Sequence, residues 1–163
     1  DIRIYPATRK TLTANGAALT KTGNGEKDFT AYTLRFTPVD IAVKVDKIDH
    51  RKYVLRKGVN LKGLNDIVLQ IPYTGDRGMA FFDGLLVADH FYYGKPWDIG
   101  LKRFAQKLDN KEMTFIFHPV YKDYGYLVDF DNSLLPDFSK SKSVLKVGNV
   151  TVMPEYKATV MFK

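Results

Sequence analysis

The sequence predicts an all-β fold, an antiparallel β-sandwich or barrel with one short helix, and three observations carry that prediction. Apolar and polar residues alternate in short segments that recur at intervals of about 8–12 residues. Gly, Asn, Asp and Pro separate those segments. A single stretch carries helical spacing, whereas a βαβ protein would place helices between most of its strands. About ten or eleven strands are expected on this pattern, with no internal repeat.

Asp1–Arg9, with Ile2, Ile4 and Tyr5, reads as a first strand. Thr11–Asp28 reads as a long loop or as two weak strands joined by turns at Asn15-Gly16 and Gly23-Asn24-Gly25. Phe29–Val39 is a strand with Tyr32, Leu34 and Phe36 on one face, closed by Pro38. Ile41–Ile48 and Lys52–Val59 alternate in the same way. Asn65–Tyr73 is nearly all apolar, which predicts a strand buried on both faces. Met79–Phe82 and Leu85–Asp89 flank Asp83-Gly84, the pattern of a hairpin whose type I′ turn needs positive φ at both central residues.

Phe91–Trp97 is an aromatic loop, after which Asp98 is placed to cap a short helix. Leu101, Phe104, Ala105 and Leu108 fall at i, i+3, i+4 and i+7 of that helix. Glu112–Val120 is a strand showing Met113, Phe115 and Phe117 on one face, and Tyr124–Phe130 is expected to be another. Asp131–Ser143 is a polar loop. Val144–Val147 and Val150–Met153 form a second hairpin through Gly148-Asn149, with a type II′ turn, and Tyr156–Phe162 closes the chain as a strand.

Composition narrows the function classes. A chain of 163 residues is expected to form one domain, residues 1–163, and to bury about two thirds of its unfolded surface. The absence of cysteine excludes disulfides and Cys-based zinc sites. Net charge is +7, mostly lysine and spread along the chain, with Lys140, Lys142 and Lys146 clustered among serines. A nucleic-acid face needs concentrated basic residues interleaved with stacking rings, so no nucleic-acid partner is expected. No apolar run reaches the ~18 residues of a membrane span. The chain starts at Asp1 with no leader pattern, which predicts a mature product or a domain cut from something longer.

The central stretch carries a family pattern. It runs Tyr73-Thr74-Gly75-Asp76, the Asp83-Gly84 turn, Ala88-Asp89, Phe91-Tyr92, Gly94, then Pro96-Trp97-Asp98-Ile99-Gly100-Leu101-Lys102-Arg103-Phe104. Together with Asp109–Pro119 this resembles a segment of bacterial β-galactosidase-type glycoside hydrolases, which lies in an accessory jelly-roll domain of the galactose-binding-like class. The likeness covers Asn65–Phe130, and departs from the pattern at His90 and Tyr93. It implies a non-catalytic accessory domain that supports a catalytic domain of the parent protein and holds galactoside or another polysaccharide weakly, at a periplasmic or extracellular location. The alternatives are a free-standing carbohydrate-binding module, marked by an exposed Trp97–Tyr93 face, and a structural or protein-interaction domain, marked by an exposed apolar patch.

Within the aromatic loop Asp89, His90, Tyr92, Tyr93, Lys95 and Trp97 are the candidate carbohydrate contacts. Pyranose C–H faces dock on indole and phenol rings while charged neighbours set orientation. The competing reading makes Trp97 and Phe91 a plug and leaves Tyr92 or Tyr93 at the surface. Hydrolysis would need two carboxyls across a cleft. Asp76 and Asp83 sit in turns, Asp98 at a cap and Asp89 at a strand end, while Glu26, Glu112 and Glu155 flank no motif. No catalytic residue is assigned. His50, His90 and His118 lack metal-ligand spacing. No cofactor is expected. The one candidate metal is a structural calcium, with Asp123, Asp129 and Asp131 as donors, although their spacing matches no EF-hand loop.

Overall fold

The computed structural model describes residues 1–6, 11–24 and 28–163; Arg9, Gly25 and Glu26, used above, lie outside them. In chain order the strands are β1 (Ile2–Ile4), β2 (Leu12–Asn15), β3 (Ala18–Asn24), β4 (Thr30–Arg35), β5 (Val45–Lys47), β6 (Lys52–Leu55), β7 (Asp66–Ile71) and β8 (Tyr73–Thr74). They continue as β9 (Arg77–Phe82), β10 (Leu85–Phe91), β11 (Trp97–Gly100), β12 (Met113–His118), β13 (Val120–Tyr121), β14 (Ser143–Val144), β15 (Lys146–Val147), β16 (Thr151–Glu155) and β17 (Thr159–Phe162). One short α-helix, α1 (Ala105–Leu108), follows a 3-10 turn over Lys102–Phe104. The protein is all-β, and among the described residues no helix is long and apolar enough to cross a membrane.

The chain divides into two compact units. The first comprises Asp1–Asp40, Gly63–Asn65 and Glu155–Lys163. Here β4 is flanked by β1 and β3, and β2 pairs with β17. Thr30, Tyr32 and Leu12 are buried, and Tyr156 stacks on Phe36 while its hydroxyl oxygen accepts the Val39 N–H at 3.1 Å. The described part of the segment, residues 11–24, thus takes the two-strand form.

The second unit comprises Ile41–Lys62 and Asp66–Pro154. Its main sheet has five antiparallel strands in the order β10-β9-β12-β6-β5. Register explains its core. Phe115 lies opposite Ala80 and Tyr53, and Phe117 opposite Gly78. Bulky rings of β12 therefore face small residues of β9. Met113, Phe115, Phe117, Leu55 and Ala80 are fully buried. The space over Gly78 is taken by Trp97 from β11, whose edge meets Phe115 at 5.8 Å and Phe117 at 6.3 Å between ring centres. β11 pairs with β7, setting Trp97 opposite Ile71 and Ile99 opposite Leu69, all buried.

Local chemistry sets the predicted hairpin. Asp83 and Gly84 have φ of 49° and 79°, the positive pair that a type I′ turn needs, and Leu85 sits opposite Phe82. The helical stripe also holds, with Leu101, Phe104 and Leu108 buried.

Several expectations need correction. Asp98 is not a helix cap: it lies within β11 and accepts a hydrogen bond from Gln70 Nε2 at 3.1 Å. The capping carboxylate is Asp66, whose Oδ1 accepts the N–H groups of Ile67 and Lys102, each at 2.7 Å. Of these two, the Lys102 N–H opens the 3-10 turn, where a first-turn donor has no acceptor inside the helix. Gly100 leaves room for this approach, since a Cβ there would stand 2.6 Å from Asp66 Oδ2.

Tyr124–Phe130 is not a strand but contains a 3-10 turn over Gly125–Asp129. Tyr124, Leu127 and Phe130 point inward while Val128 is exposed, a spacing of three that suits 3-10 geometry. Leu127 packs with Val120, Val144, Tyr124 and Phe138 in a small satellite core.

The second hairpin does not form. Val147 pairs with Tyr73 of β8, and β16 lies beside β7. The two segments follow β8 and β7 instead of each other, and Gly148 N–H donates to Pro72 O at 2.8 Å where Pro72 separates those strands.

The remaining departures are of extent. The strand expected over Ile41–Ile48 shortens to β5, and β7 buries only Ile67, Leu69 and Ile71 fully, with Val68 and Gln70 half-buried.

Candidate functional site

The aromatic residues of the central stretch separate into a buried set and a surface set. Trp97 begins β11 at 4% exposure, so the indole is a core group and no exposed Trp97–Tyr93 face exists. Phe91, the other half of the expected plug, ends β10 at 61% exposure. It is therefore a surface group on β10, which has no outer neighbour among the described strands. The loop proper spans residues 92–96.

His90 links the two sets. Its ring stacks on Trp97 at 5.9 Å and 11°, and Tyr93, 54% exposed, leans on its other side. Tyr73 Oη lies 2.9 Å from His90 Nδ1 and donates to His90 O at 2.8 Å. One phenol hydrogen cannot serve both contacts. With that hydrogen on the carbonyl, Nδ1–H donates to Oη, and both groups are satisfied with the imidazole neutral. Burial holds the His90 pKa below its ordinary value, against the pull of Asp98 and Asp89, and burial pushes the Tyr73 phenol up.

A pH dependence follows. A histidine whose folded pKa lies below its unfolded value takes its proton more readily when unfolded. Its contribution is complete above about pH 6.5 and is lost as pH falls below that value. His118 is shifted the same way, by burial first and then by the Arg77 charge. The depressed carboxyls, Asp46 beside Arg56 and Asp49 under the Arg51 and Lys52 N–H groups, lose their contribution only as pH falls below 3.8. Thermal melts taken from pH 7 to pH 5 should show a falling Tm, and His90→Gln should flatten the slope. An equal slope in the variant would show that His90 does not titrate on unfolding.

Tyr92 and Lys95 reach a common cleft of about 330 Å3, at the small end of ligand sites. It is lined by Pro72, Tyr73 and Thr74, by Tyr92, Gly94, Lys95 and Pro96 of the loop, and by Lys146 and Gly148. The Tyr92 ring is fixed from behind, 6.3 Å from Phe130 in a stacked pair and 5.7 Å from Tyr73. Its N–H donates to Asp76 O at 2.9 Å, while the Asp76 N–H donates to His118 O at 2.8 Å. Tyr126 Oη donates to Asp76 Oδ1 at 2.7 Å, so Asp76 ties three segments together behind the cleft.

Of the six sequence candidates, the cleft gathers Tyr92 and Lys95. His90 and Tyr93 stand behind and beside it, Trp97 lies beneath, and Asp89 is exposed on β10. Sequence reasoning missed Tyr73 and Lys146. The first was read only as the end of a strand. For Lys146 no signal existed, because only the pairing of Lys146 with Thr74 brings it here.

Two other grooves carry less chemistry. One of about 450 Å3 runs beside β5, where five valines share the lining with Lys44, Lys47, Tyr53 and Asn149, and Lys44 already pairs with Asp46. The other, about 510 Å3, lies at Asp66, Asp98, Lys102 and Arg103, where both carboxylates already hold partners. Of the carboxylates weighed for catalysis, Asp76 and Asp98 are engaged as above and Asp83 pairs with Lys111, while Asp89 is exposed on β10. Among the calcium candidates Asp131 accepts from Ser133 N and Oγ. Among the described residues no three His, Asp or Glu side chains converge as for a metal ion.

Fold and site together define an all-β protein with an aromatic, lysine-edged cleft. Comparison with family models, with curated proteins and with solved structures finds no match to the chain.

Proposed function

We propose that the chain is a non-catalytic accessory domain of a β-galactosidase-like glycoside hydrolase, an antiparallel β-sandwich of jelly-roll, galactose-binding-like type acting as a single domain. In this reading it supports the parent catalytic domain outside the cell or in the periplasm and holds a galactoside or related saccharide weakly. The resemblance across residues 65–130 supports the family. The observation that carries the binding role is the Tyr92 ring, fixed by Phe130 and Tyr73 at the wall of a cleft sized for about one sugar ring. The contact with the catalytic domain finds support at the outer strand β10, where Leu85, Leu86 and Phe91 are all exposed.

Titration of the labelled chain with galacto-oligosaccharides, followed by amide NMR shifts, tests the binding role. Shifts should cluster at Thr74, Tyr92, Lys95 and Lys146, with Kd near the millimolar range (about −4 kcal/mol). Tyr92→Ala should abolish them while the spectrum stays folded. No shift at these residues at saturating sugar would remove the saccharide role and leave an interaction domain whose contact is the β10 edge.

A further inference from the structure

Lys95 and Lys146 reach the cleft from different elements, the loop after β10 and the strand β15, and both are exposed. No carboxylate lines the cleft, and neither lysine forms an ion pair among the described residues. Asp137 feels Lys146 only weakly. Its carboxyl is held down mainly by the Ser139 hydroxyl and N–H. A few cations of this unit are paired, as Lys44 and Arg56 with Asp46, Arg56 with Glu112, and Lys111 with Asp83; what sets Lys95 and Lys146 apart is that they share one cleft. Two ammonium groups at one concave site whose lining holds no carboxylate create a positive potential focused on whatever enters.

The backbone fixes this arrangement. Gly94 has φ of 88°, and its Cα faces the Leu134 side chain so closely that a Cβ would lie 2.3 Å from it. Pro96 follows directly on Lys95, and Pro72 faces Gly148, so the walls carrying both lysines have restricted backbones.

We propose that the cleft selects an anionic saccharide, a pyranose bearing a carboxylate or a sulfate, with Lys95 and Lys146 holding the anion while Tyr92 meets the ring face. The proposal rests on the saccharide reading given above and adds to it the charge of the ligand. The ammonium groups supply charge-assisted hydrogen bonds. The tyrosine supplies the sugar-specific part, which a bare anion would not use.

The test is a set of titrations of the whole chain at low ionic strength with four probes: an oligogalacturonide, a sulfated galacto-oligosaccharide, the neutral galacto-oligosaccharide of equal length, and inorganic polyphosphate. At least one acidic sugar should bind about tenfold more tightly than the neutral one, and the preference should shrink as salt is raised. The two acidic arms tell carboxylate from sulfate. Lys95→Ala and Lys146→Ala should each weaken acidic-sugar binding by roughly fivefold more than they weaken neutral-sugar binding, and leave Tm unchanged. Equal binding of neutral and acidic sugars would overturn the charge inference and leave the saccharide reading standing. Binding of no sugar would remove both. Polyphosphate binding as tightly as the acidic sugar, with no loss in Tyr92→Ala, would show bare charge attraction and overturn the proposal.

Discussion

Replacing Trp97 by alanine should lower folding stability by about 3–5 kcal/mol, the cost of emptying a large aromatic site in a packed core. The indole is 4% exposed, meets Phe115 and Phe117 edge-on, stacks on His90, and stands opposite Ile71 in the β11–β7 pair. Few of these neighbours can move into the void, because Phe115 and Phe117 are pinned by strand pairing on both sides. Against a total stability of about 5–15 kcal/mol for a domain this is a large share. Urea unfolding followed by far-UV circular dichroism measures it. A midpoint equal to that of the parent chain would mean that the indole is not packed between these strands.

Gly78→Ala should be the next most damaging small change, at about 1–3 kcal/mol, because it overfills the same site from the opposite side. A Cβ at position 78 would lie 2.9 Å from the Phe117 ring and 2.9 Å from the Trp97 ring. Both rings are buried and neither presents a flexible end that can swing away. A second change sharpens the test. If the fault is crowding, Phe117→Leu should recover part of the loss in the Gly78→Ala chain although it destabilises the parent chain. Additive losses in the double variant would place the fault in the β9 backbone instead of the side-chain contact.

Both predictions concern a triad that the sequence showed only in pieces. The alternation of Met113, Phe115 and Phe117 marked a buried face, and the structure buries all three. Gly78 precedes the strand expected from Met79, yet it lies in β9 directly opposite Phe117. Its lack of a side chain serves the packing of two rings. Trp97 read as either a platform or a plug. The choice depended on whether a small residue stood across from it, which is a matter of sheet register and not of the loop's own composition.

The site divides in the same way. Tyr92 and Lys95 belong to the aromatic loop and were legible there. Lys146 enters only because the segment after Leu145 pairs with β8 instead of folding back on itself. Asp66 displaced Asp98 as the helix cap for a similar reason. A local Asp at the expected offset was available, but β11 had already taken it into strand pairing opposite Gln70.

By itself the sequence determined the all-β class, the type I′ turn at Asp83-Gly84, the apolar stripe Leu101-Phe104-Leu108 and the inward face of β12. Each depends on residues within a few positions of one another, where φ preference and side-chain period act directly. Tertiary structure alone decided which strands became neighbours, that Trp97 fills the space over Gly78, and that Lys146 joins Lys95 beside Tyr92. Those outcomes depend on non-local pairing, where burial of whole faces outweighs the turn preference of a dipeptide such as Gly148-Asn149.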